Sequence, residues 1–579
     1  MSSFAAPATG WRATFPPAQW LACYHASSLP RDAVAGVTLA AYAIPVSLAY
    51  ATLAGLPPQA GVYSCMAGGV AYALFGSSRQ LAVGPTSAIS MLVGATVGGM
   101  AGGDPVRAAN IAALTALVVA AMTLIAWTLK LSSLIAFISE TILLGFKAGA
   151  GLTIAMTQLP KLFGVEGGGE HFFNRIAILA GQLPDTNRAV LLFGLAALGL
   201  ILAGEKLFPG RPVTLGIVAL AIVALSTTSL GGLGFSVVGD VPSGLPAFHA
   251  PAMRLRDVDG VIPLAFACLL LSYVEGVSAA RTLAQRHGDA IDARQELLGL
   301  GAANLAASFS QGYPVAGGLS QSSVNDKAGA TSALALAFAS LAIAVCLMYF
   351  AALLRNLPDV VLAAIVLVSV KGLINLGELR HLWRASRFEF GVSMTALGGV
   401  LALGILKGVM LAAVVSMLLL IRRAARPHVA FLGRIPGFRG LSDMERNPAN
   451  ESIPGAIVFR VEAALLYFNV EHVHDAVWAQ LRSIGPSVRL VVCDLSTSPT
   501  VDLAGGRMLS RLHEELQADG IDFRLTSAHA RVRDLLRAEG LEERTGYFGR
   551  RSSAIEVVEE FERADADRPP FYEGEHVQH

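Results

Sequence analysis

From Asp32 to about Arg422 the chain is a succession of apolar runs separated by short polar joints. Runs of roughly 15 to 25 residues are long enough to cross a hydrocarbon core of about 30 Å as helices. About fourteen such spans are predicted. They begin near Asp32, Gln59, Leu81, Pro105, Leu131, Arg188, Pro212, Asp257, Ala293, Val315, Ser332, Leu357, Phe388 and Gly408. Two of them are interrupted by Gly and Pro: LAVGPTSAIS at Leu81–Ser90 and GYPVAGGLSQSSVNDKAG at Gly312–Gly329. Backbone broken at membrane depth is tolerated only where protein or a wet cavity satisfies the freed N–H and C=O groups. The pattern therefore predicts half-helices that meet at a substrate site. If the spans form two halves of seven, the third and tenth correspond. An odd number per half makes the repeats inverted, so their half-helices face each other near the midplane.

After Arg439 the pattern changes. Short apolar strands at Ala456–Arg460, Val488–Leu495 and Ile521–Thr526 alternate with amphipathic helices at Leu503–Ala518 and Ala530–Ala538, which predicts a small α/β domain. The expected organisation is an N-terminal cytoplasmic segment (1–30), a transport domain (31–425), a basic linker (426–453), the α/β domain (454–565) and a disordered tail (566–579). The N-terminal segment carries an amphipathic stretch around Trp20 and no cleavable signal, so the first span itself directs insertion.

Composition sharpens this picture. Of 579 residues 54% are hydrophobic and 15% charged, with a mean hydropathy of +0.57, too apolar for a soluble globular protein. The net charge of +1 says nothing about partners; no nucleic acid is expected. Cys23, Cys65, Cys268, Cys346 and Cys493 lack CxxC spacing and read as packing residues. No Walker A loop, GxSxG or HExxH occurs, which excludes ATP hydrolysis and ester or peptide hydrolysis by those machineries; no enzyme activity and no cofactor are expected. Basic residues such as Arg79, Lys206, Arg286, Lys327, Arg384 and Arg422 collect on one set of loops, which places both termini in the cytoplasm.

Three stretches carry a family resemblance: IPVSLAYATLAGLPPQAGVYS in the first two spans, YALFGSSRQLAVGPTSAIS leading into the third, and RQELLGLGAANLAASFSQGYPVAGGLSQSSVN through the ninth and tenth. They resemble the SulP-type anion transporters, the sulfate permease relatives that include prestin and pendrin. The segments VVCDLSTSPTVDLAGG and GIDFRLTSAHARVRDLLRAEGL resemble the STAS domain that follows that membrane part. The resemblance implies an all-α polytopic domain of two inverted seven-helix repeats arranged as core and gate. It also implies a homodimer, an elevator-like shift of the core, and a small inorganic or carboxylate anion as substrate; the compact chain and its Ala-, Gly- and Arg-rich composition lead to the expectation of a bacterial-type inner membrane. A proton or sodium ion would drive symport.

Helix N-termini carry roughly half a positive charge and unpaired N–H donors. Those at Pro85, Thr86 and Ser87 and at Gly317, Gly318, Leu319, Ser320 and Gln321 are the expected anion ligands. Pro45 frees a backbone carbonyl in the first span, so Tyr42 to Ser47 are expected to line the same cavity. Many family members have Arg after the serine of the tenth span; here Gln321 stands there. In the fifth span Glu140, Lys147, Gly151 and Gln158 share one face. Lys147 is read either as the charge Gln321 lacks or as a structural partner of Glu140 or Glu275, since a mid-depth lysine needs a partner or a cavity. Glu275 in the eighth span resembles the family's coupling residue, as proton carrier or, when ionised, as a sodium ligand.

Weaker signals are assigned to packing. Gly94 with Gly98 and Gly145 with Gly149 read as close helix contacts, and His472 and His474 as surface residues. In switchable STAS relatives the loop Asp precedes a phosphorylated Ser, but Asp502 is followed by Leu503, which excludes that switch. An uncoupled exchanger or channel, a nucleobase–proton symporter and a membrane-tethered sensor are the competing readings.

Overall fold

The computed structural model describes residues 15–20, 24–131, 140–169, 171–208, 212–228, 233–239, 241–252, 254–541 and 553–566. The chain divides into two compact units, Met1–Ser416 and Met417–His579.

Among the described residues, helices follow the predicted spans through the first unit, the last of them running on past its end at Ser416. They are α1 (Leu29–Leu53), α2 (Pro58–Phe75), α3 (Ser87–Ala101), α4 (Pro105–Thr128), α5 (Glu140–Phe163), then an added amphipathic α6 (Phe172–Gln182), α7 (Arg188–Leu207) and α8 (Val213–Thr227). They continue as α9 (Leu255–His287), α10 (Ala293–Phe309), α11 (Leu319–Lys327), α12 (Leu334–Tyr349), α13 (Asp359–Lys371), a second amphipathic helix α14 (Leu376–Ala385), α15 (Arg387–Leu403) and α16 (Ile405–Ala425). Among the described residues, six helices are individually long and apolar enough to cross a membrane.

The two interrupted segments are short for a physical reason. Each begins as a two-residue strand, β1 (Val83–Gly84) and β2 (Ala316–Gly317), and the strands pair antiparallel, Val83 with Gly317 and Gly84 with Ala316. Gly318 N–H donates to Ala82 O at 3.1 Å. Each broken segment thus satisfies the other's backbone, which removes the cost of unpaired groups in an apolar surround. A side chain at residue 317 could not fit: its Cβ would lie 2.8 Å from the Cα of Gly276.

Buried polar side chains hold these extended stretches. Glu296, fully buried, accepts from Tyr72 Oη (2.9 Å), Ser77 N (3.0 Å), Ser77 Oγ (2.7 Å) and Ser78 N (3.2 Å), fixing the loop ahead of β1. Asn304 bonds both sides of Val315, accepting from its N–H at 3.0 Å and donating to its carbonyl at 3.2 Å. Ser64 does the same for Tyr313.

Two aspartates at helix starts make related clamps. Asp32 near the start of α1 accepts from Thr331 N (2.6 Å) and Ser332 Oγ (2.6 Å), just ahead of α12. Asp257 near the start of α9 pairs with Arg107 of α4 at 3.0 Å. In the predicted order of spans these are the first with the eleventh and the eighth with the fourth.

Helix contacts correct some sequence expectations. Gly145 and Gly149 do lie against α15: a Cβ at Gly145 would come 1.8 Å from Ser393 O, and one at Gly149 would come 2.9 Å from Val400 Cβ. Gly94 lies against Leu53, but Gly98 faces open space. Cys65, Cys268 and Cys493 are buried, whereas Cys23 lies outside the described residues.

The second unit is a five-stranded mixed sheet of β3 (Val429–Arg434), β4 (Leu441–Asp443), β5 (Ala456–Val461), β6 (Leu490–Asp494) and β7 (Asp522–Thr526), in the order β4-β3-β5-β6-β7. The stretch expected to be a linker, 426–453, therefore supplies two strands. β3 pairs antiparallel with both β4 and β5, and its basic ends, Arg434 and the nearby Arg439, pair with Glu562 and Glu559. β5, β6 and β7 are parallel, joined by α17 (Val470–Ile484) and α18 (Leu503–Ala518).

Period-two alternation divides the strands between two cores. Ile457, Phe459 and Val461 pack with Val473, Val477, Leu509 and Leu512 of α17 and α18, and also with Val532 and Leu536 of α19 (Ala530–Ala538). Ala456 and Val458 pack with Val557 and Val558 of α20 (Ala554–Ala566). Helix α20 occupies the end of the expected α/β domain, and the tail from 567 lies outside the described residues.

His474 is not a surface residue. It is buried, its Nε2 lies 2.7 Å from Glu515 Oε2, and Trp478 Nε1 and Arg511 Nε donate to the same carboxylate at 2.9 and 2.8 Å. Burial acts upward on Glu515, but these bonds prevail and hold its pKa at about 2. His472 is half-buried against Pro427 O at 3.2 Å.

Candidate functional site

Pairing of β1 with β2 brings the N-termini of α3 and α11 onto one cavity of about 170 Å³. Thr86 caps α3, its Oγ1 accepting from Ile89 N at 3.5 Å. Gly318 caps α11 without a side-chain bond, so the first N–H groups of α11 have no capping side chain. Such helix starts present positive potential and donors to an anion.

Most of the predicted site residues line this cavity. Tyr42, Pro85, Thr86, Ser87, Gly318, Leu319, Ser320, Gln321, Lys147 and Glu275 all do. Pro45 and Ser47 are buried elsewhere on α1; their place on the lining is taken by Val46 and Tyr50. The face is the helical one expected of Tyr42, since residues 42, 46 and 50 follow at intervals of four. Helix α1 continues through Pro45 to Leu53, so the proline does not open the lining stretch. Gly317 sits behind, in β2. The side chain of Glu140 lies outside the described residues, while Gly151 faces Ile374 and Leu373 and Gln158 is buried.

The charges are arranged without close pairing. Thr86 Oγ1 donates to Glu275 Oε2 at 3.3 Å. Lys147 and Glu275 line the same cavity, and no ion pair within 4.0 Å joins Lys147 to a described carboxylate. Gln321 donates to Pro85 O at 3.2 Å, tying α11 to the segment before α3. Sequence reasoning missed Tyr50, Ser278 and Ser369, all on the lining. The four-residue spacing from Tyr42 could have found Tyr50; no local signal marks Ser369.

One wall is made by α1, α3, α9 and α11, the other by Lys147 of α5 and by Ser369, Gly372 and Leu373 at the end of α13. The cavity adjoins a vestibule of about 820 Å³, with which it shares Tyr42, Val46, Ser320 and Ser369 and which Glu205, Lys206, Lys327 and Lys371 also line. Such a place can hold a small anion and strip part of its water. On the second unit Asp502 caps α18 through Gly505 N at 2.8 Å and accepts from Tyr467 N at 2.8 Å. Asp502 is thus committed to structure.

Residues 29–396 match the sulfate permease family and residues 447–554 the STAS domain. A probable sulfate transporter of Mycobacterium tuberculosis is 33% identical over 524 residues, covering 90% of this chain and 93% of that protein. Sulfate transporter 4.1 of Arabidopsis thaliana, a chloroplastic protein, is 28% identical over 94% of this chain and 82% of its own length. The fold is that of the murine Solute Carrier 26 family member A9 anion transporter in the inward-facing state, with TM-score 0.87 at 23% identity over 97% of this chain and 96% of that one. The transmembrane domain of the cyanobacterial bicarbonate transporter BicA matches 68% of this chain and 98% of its own, with TM-score 0.59 at 21% identity. The chain belongs to the sulfate permease family: it is a membrane anion transporter, not an enzyme, with a C-terminal STAS domain.

Proposed function

We propose that this chain is a cation-coupled importer of a small oxyanion, sulfate or bicarbonate, held between the N-termini of α3 and α11. The observation that carries the reading is the β1–β2 pairing, which sets both half-helix starts on one cavity with Glu275 and Lys147. Two helix ends supply about one unit of positive potential, enough for a monovalent anion. A dianion needs Lys147, a proton on Glu275 or a cation as well. The names of the relatives favour sulfate among dianions, and BicA keeps bicarbonate in the range.

Coupling is assigned to Glu275. Its carboxylate faces the anion position, so ionised Glu275 repels a dianion unless a proton or a sodium ion is bound with it. Co-binding of cation and anion then becomes favourable, which is the requirement for symport. The two walls of the cavity are assigned to the moving core and the gate of an elevator, α1–α4 with α9–α12 as core and α5, α7, α8, α13, α15 and α16 as gate. The Asp32 and Asp257 clamps support two inverted repeats, since they join corresponding helices. Glu275 follows Asp257 by the same eighteen residues that separate Tyr50 from Asp32. By the distribution of basic residues the lysine-lined vestibule faces the cytoplasm, both termini are cytoplasmic, and the protein is a homodimer in a bacterial inner membrane.

The test is uptake of radiolabelled sulfate, bicarbonate and succinate into proteoliposomes under an imposed inward proton or sodium gradient. Concentrative uptake of an oxyanion, lost in Glu275→Gln, is expected. Equilibration without accumulation under either gradient would establish an uncoupled exchanger or channel instead.

A further inference from the structure

Helix α14 has the sequence LGELRHLWRA and, at about 1.5 Å per residue, is too short to cross a hydrocarbon core of about 30 Å. At about 100° per residue its side chains divide into faces. Leu376, Leu379, Leu382 and Trp383 share one face, Arg380 and Arg384 stand one turn apart along its edge, and Glu378 and His381 lie on the far side. None of its residues is buried, and the apolar Leu376 and Trp383 are 73% and 47% exposed. A single residue, Ser386, joins α14 to α15: its Oγ accepts from Glu389 N at 3.3 Å, and its own N–H donates to Leu382 O at 2.8 Å. The Trp383 ring packs edge-on against Phe390 of α15, with centroids 4.9 Å apart, and the Arg387 guanidinium sits over it, 5.1 Å from the centroid. Three arginines thus flank one exposed tryptophan, and no ion pair within 4.0 Å joins any of them to a described carboxylate. Glu389 is engaged elsewhere, accepting from Thr141 of α5 at 3.1 Å.

We propose that α14, with the first turn of α15, is a docking surface for anionic phospholipid headgroups in the leaflet on the vestibule side. Helix α13 ends at the vestibule with Lys371 and leads into α14 through residues 372–375 alone, which sets α14 at that surface. Apolar side chains exposed on a short helix are unfavourable in water and are covered when the helix lies in the membrane interface. Tryptophan suits that depth, with an apolar ring and one N–H that stays wet. Arginine stems lie along the apolar surface while their heads reach the headgroups, where the guanidinium fork matches a phosphate with two parallel bonds. Charge complementarity selects the lipid. A zwitterionic headgroup cancels its phosphate with its own amine, whereas an anionic one leaves a net charge for Arg380, Arg384 and Arg387 to meet. The surface is independent of which anion the cavity takes.

The test is tryptophan quenching in the full-length protein, reconstituted into phosphatidylcholine vesicles that carry a small fraction of brominated phosphatidylglycerol or, in parallel, of brominated phosphatidylcholine. The share due to Trp383 is the difference between the wild type and Trp383→Phe. At equal mole fraction the anionic lipid should quench Trp383 about 5-fold more effectively, the worth of one basic side chain at an anionic surface. That preference should vanish when Arg380→Gln, Arg384→Gln and Arg387→Gln are combined. In the wild type it should also weaken as salt is added, since exposed charges are screened; this arm needs no variant and stands even if the triple replacement folds poorly. Equal quenching by the two lipids at low salt would overturn the headgroup surface and make α14 an interfacial helix only. Quenching of Trp383 by neither lipid would show that protein covers the face, and would overturn the proposal as well.

Discussion

Thr86 ties the start of α3 to Glu275: its hydroxyl donates to Glu275 Oε2 at 3.3 Å while its oxygen accepts from Ile89 N. One side chain thereby caps the half-helix that starts at the cavity and orients a carboxylate on the same lining.

Replacing Thr86 should therefore damage both functions at once. Thr86→Ala is expected to cost about 1 kcal/mol through the lost cap and to raise the KM for the anion by roughly tenfold. Thr86→Ser keeps both bonds and should restore transport close to wild type. Uptake kinetics and a thermal melt of the two variants check this.

Lys147 stands on the wall opposite Glu275, with no described carboxylate within ion-pair distance. The proposed anion site assigns the Lys147 charge to a dianion. Lys147→Met should reduce sulfate uptake by at least tenfold while bicarbonate uptake falls far less, because two helix ends already balance a monovalent anion. Parallel uptake of the two anions reads the difference. Equal loss of both would make Lys147 a structural residue.

The close approach of α5 and α15 makes a stability prediction with an internal control. A Cβ at Gly145 would collide with Ser393 O, whereas one at Gly98 meets nothing within 4 Å. Gly145→Ala should destabilise by on the order of 3 kcal/mol. Gly98→Ala, in a helix, should stabilise by about 0.5–1 kcal/mol. Thermal stability in detergent distinguishes them.

In the STAS domain the Glu515 carboxyl is held at about 2, below its ordinary 4.5. A depressed carboxylate stabilises the fold fully above the unfolded value and loses that contribution as the pH falls toward the folded one. The domain should therefore lose stability between about pH 4.5 and 2. Glu515→Gln should flatten that fall, because the bonds from His474, Trp478 and Arg511 no longer favour an ionised group. Denaturation of a protein comprising residues 427–566, which contain both cores of the domain, measures the slope.

Much of this was legible in the chain because membrane solvent is a severe selector. Apolar runs had to be helices, and among the described residues helices trace them. Breaks at Gly84–Pro85 and Gly317–Gly318 had to find backbone partners, and they found each other. Other features depend on tertiary partners that local sequence does not name. The strands β3 and β4 are short and polar at their ends, and only pairing with β5 makes them strands. His474 reads as polar on an amphipathic helix, but Glu515 of α18 supplies the partner that lets it be buried. Pro45 drew attention to α1 for its missing N–H, yet the lining face is set by the four-residue step through Tyr42, Val46 and Tyr50. Ser369 joins the site only because α13 ends against it.

In the proposed site the substrate anion sits between Ser87 and Ser320. Selenate, a heavier analogue of sulfate, locates it directly by anomalous diffraction from crystals of the full-length protein. The account predicts a selenium peak in the inner cavity within hydrogen-bonding reach of the first turns of α3 and α11. A peak confined to the vestibule beside Lys206, Lys327 and Lys371, with the inner cavity empty, would contradict it.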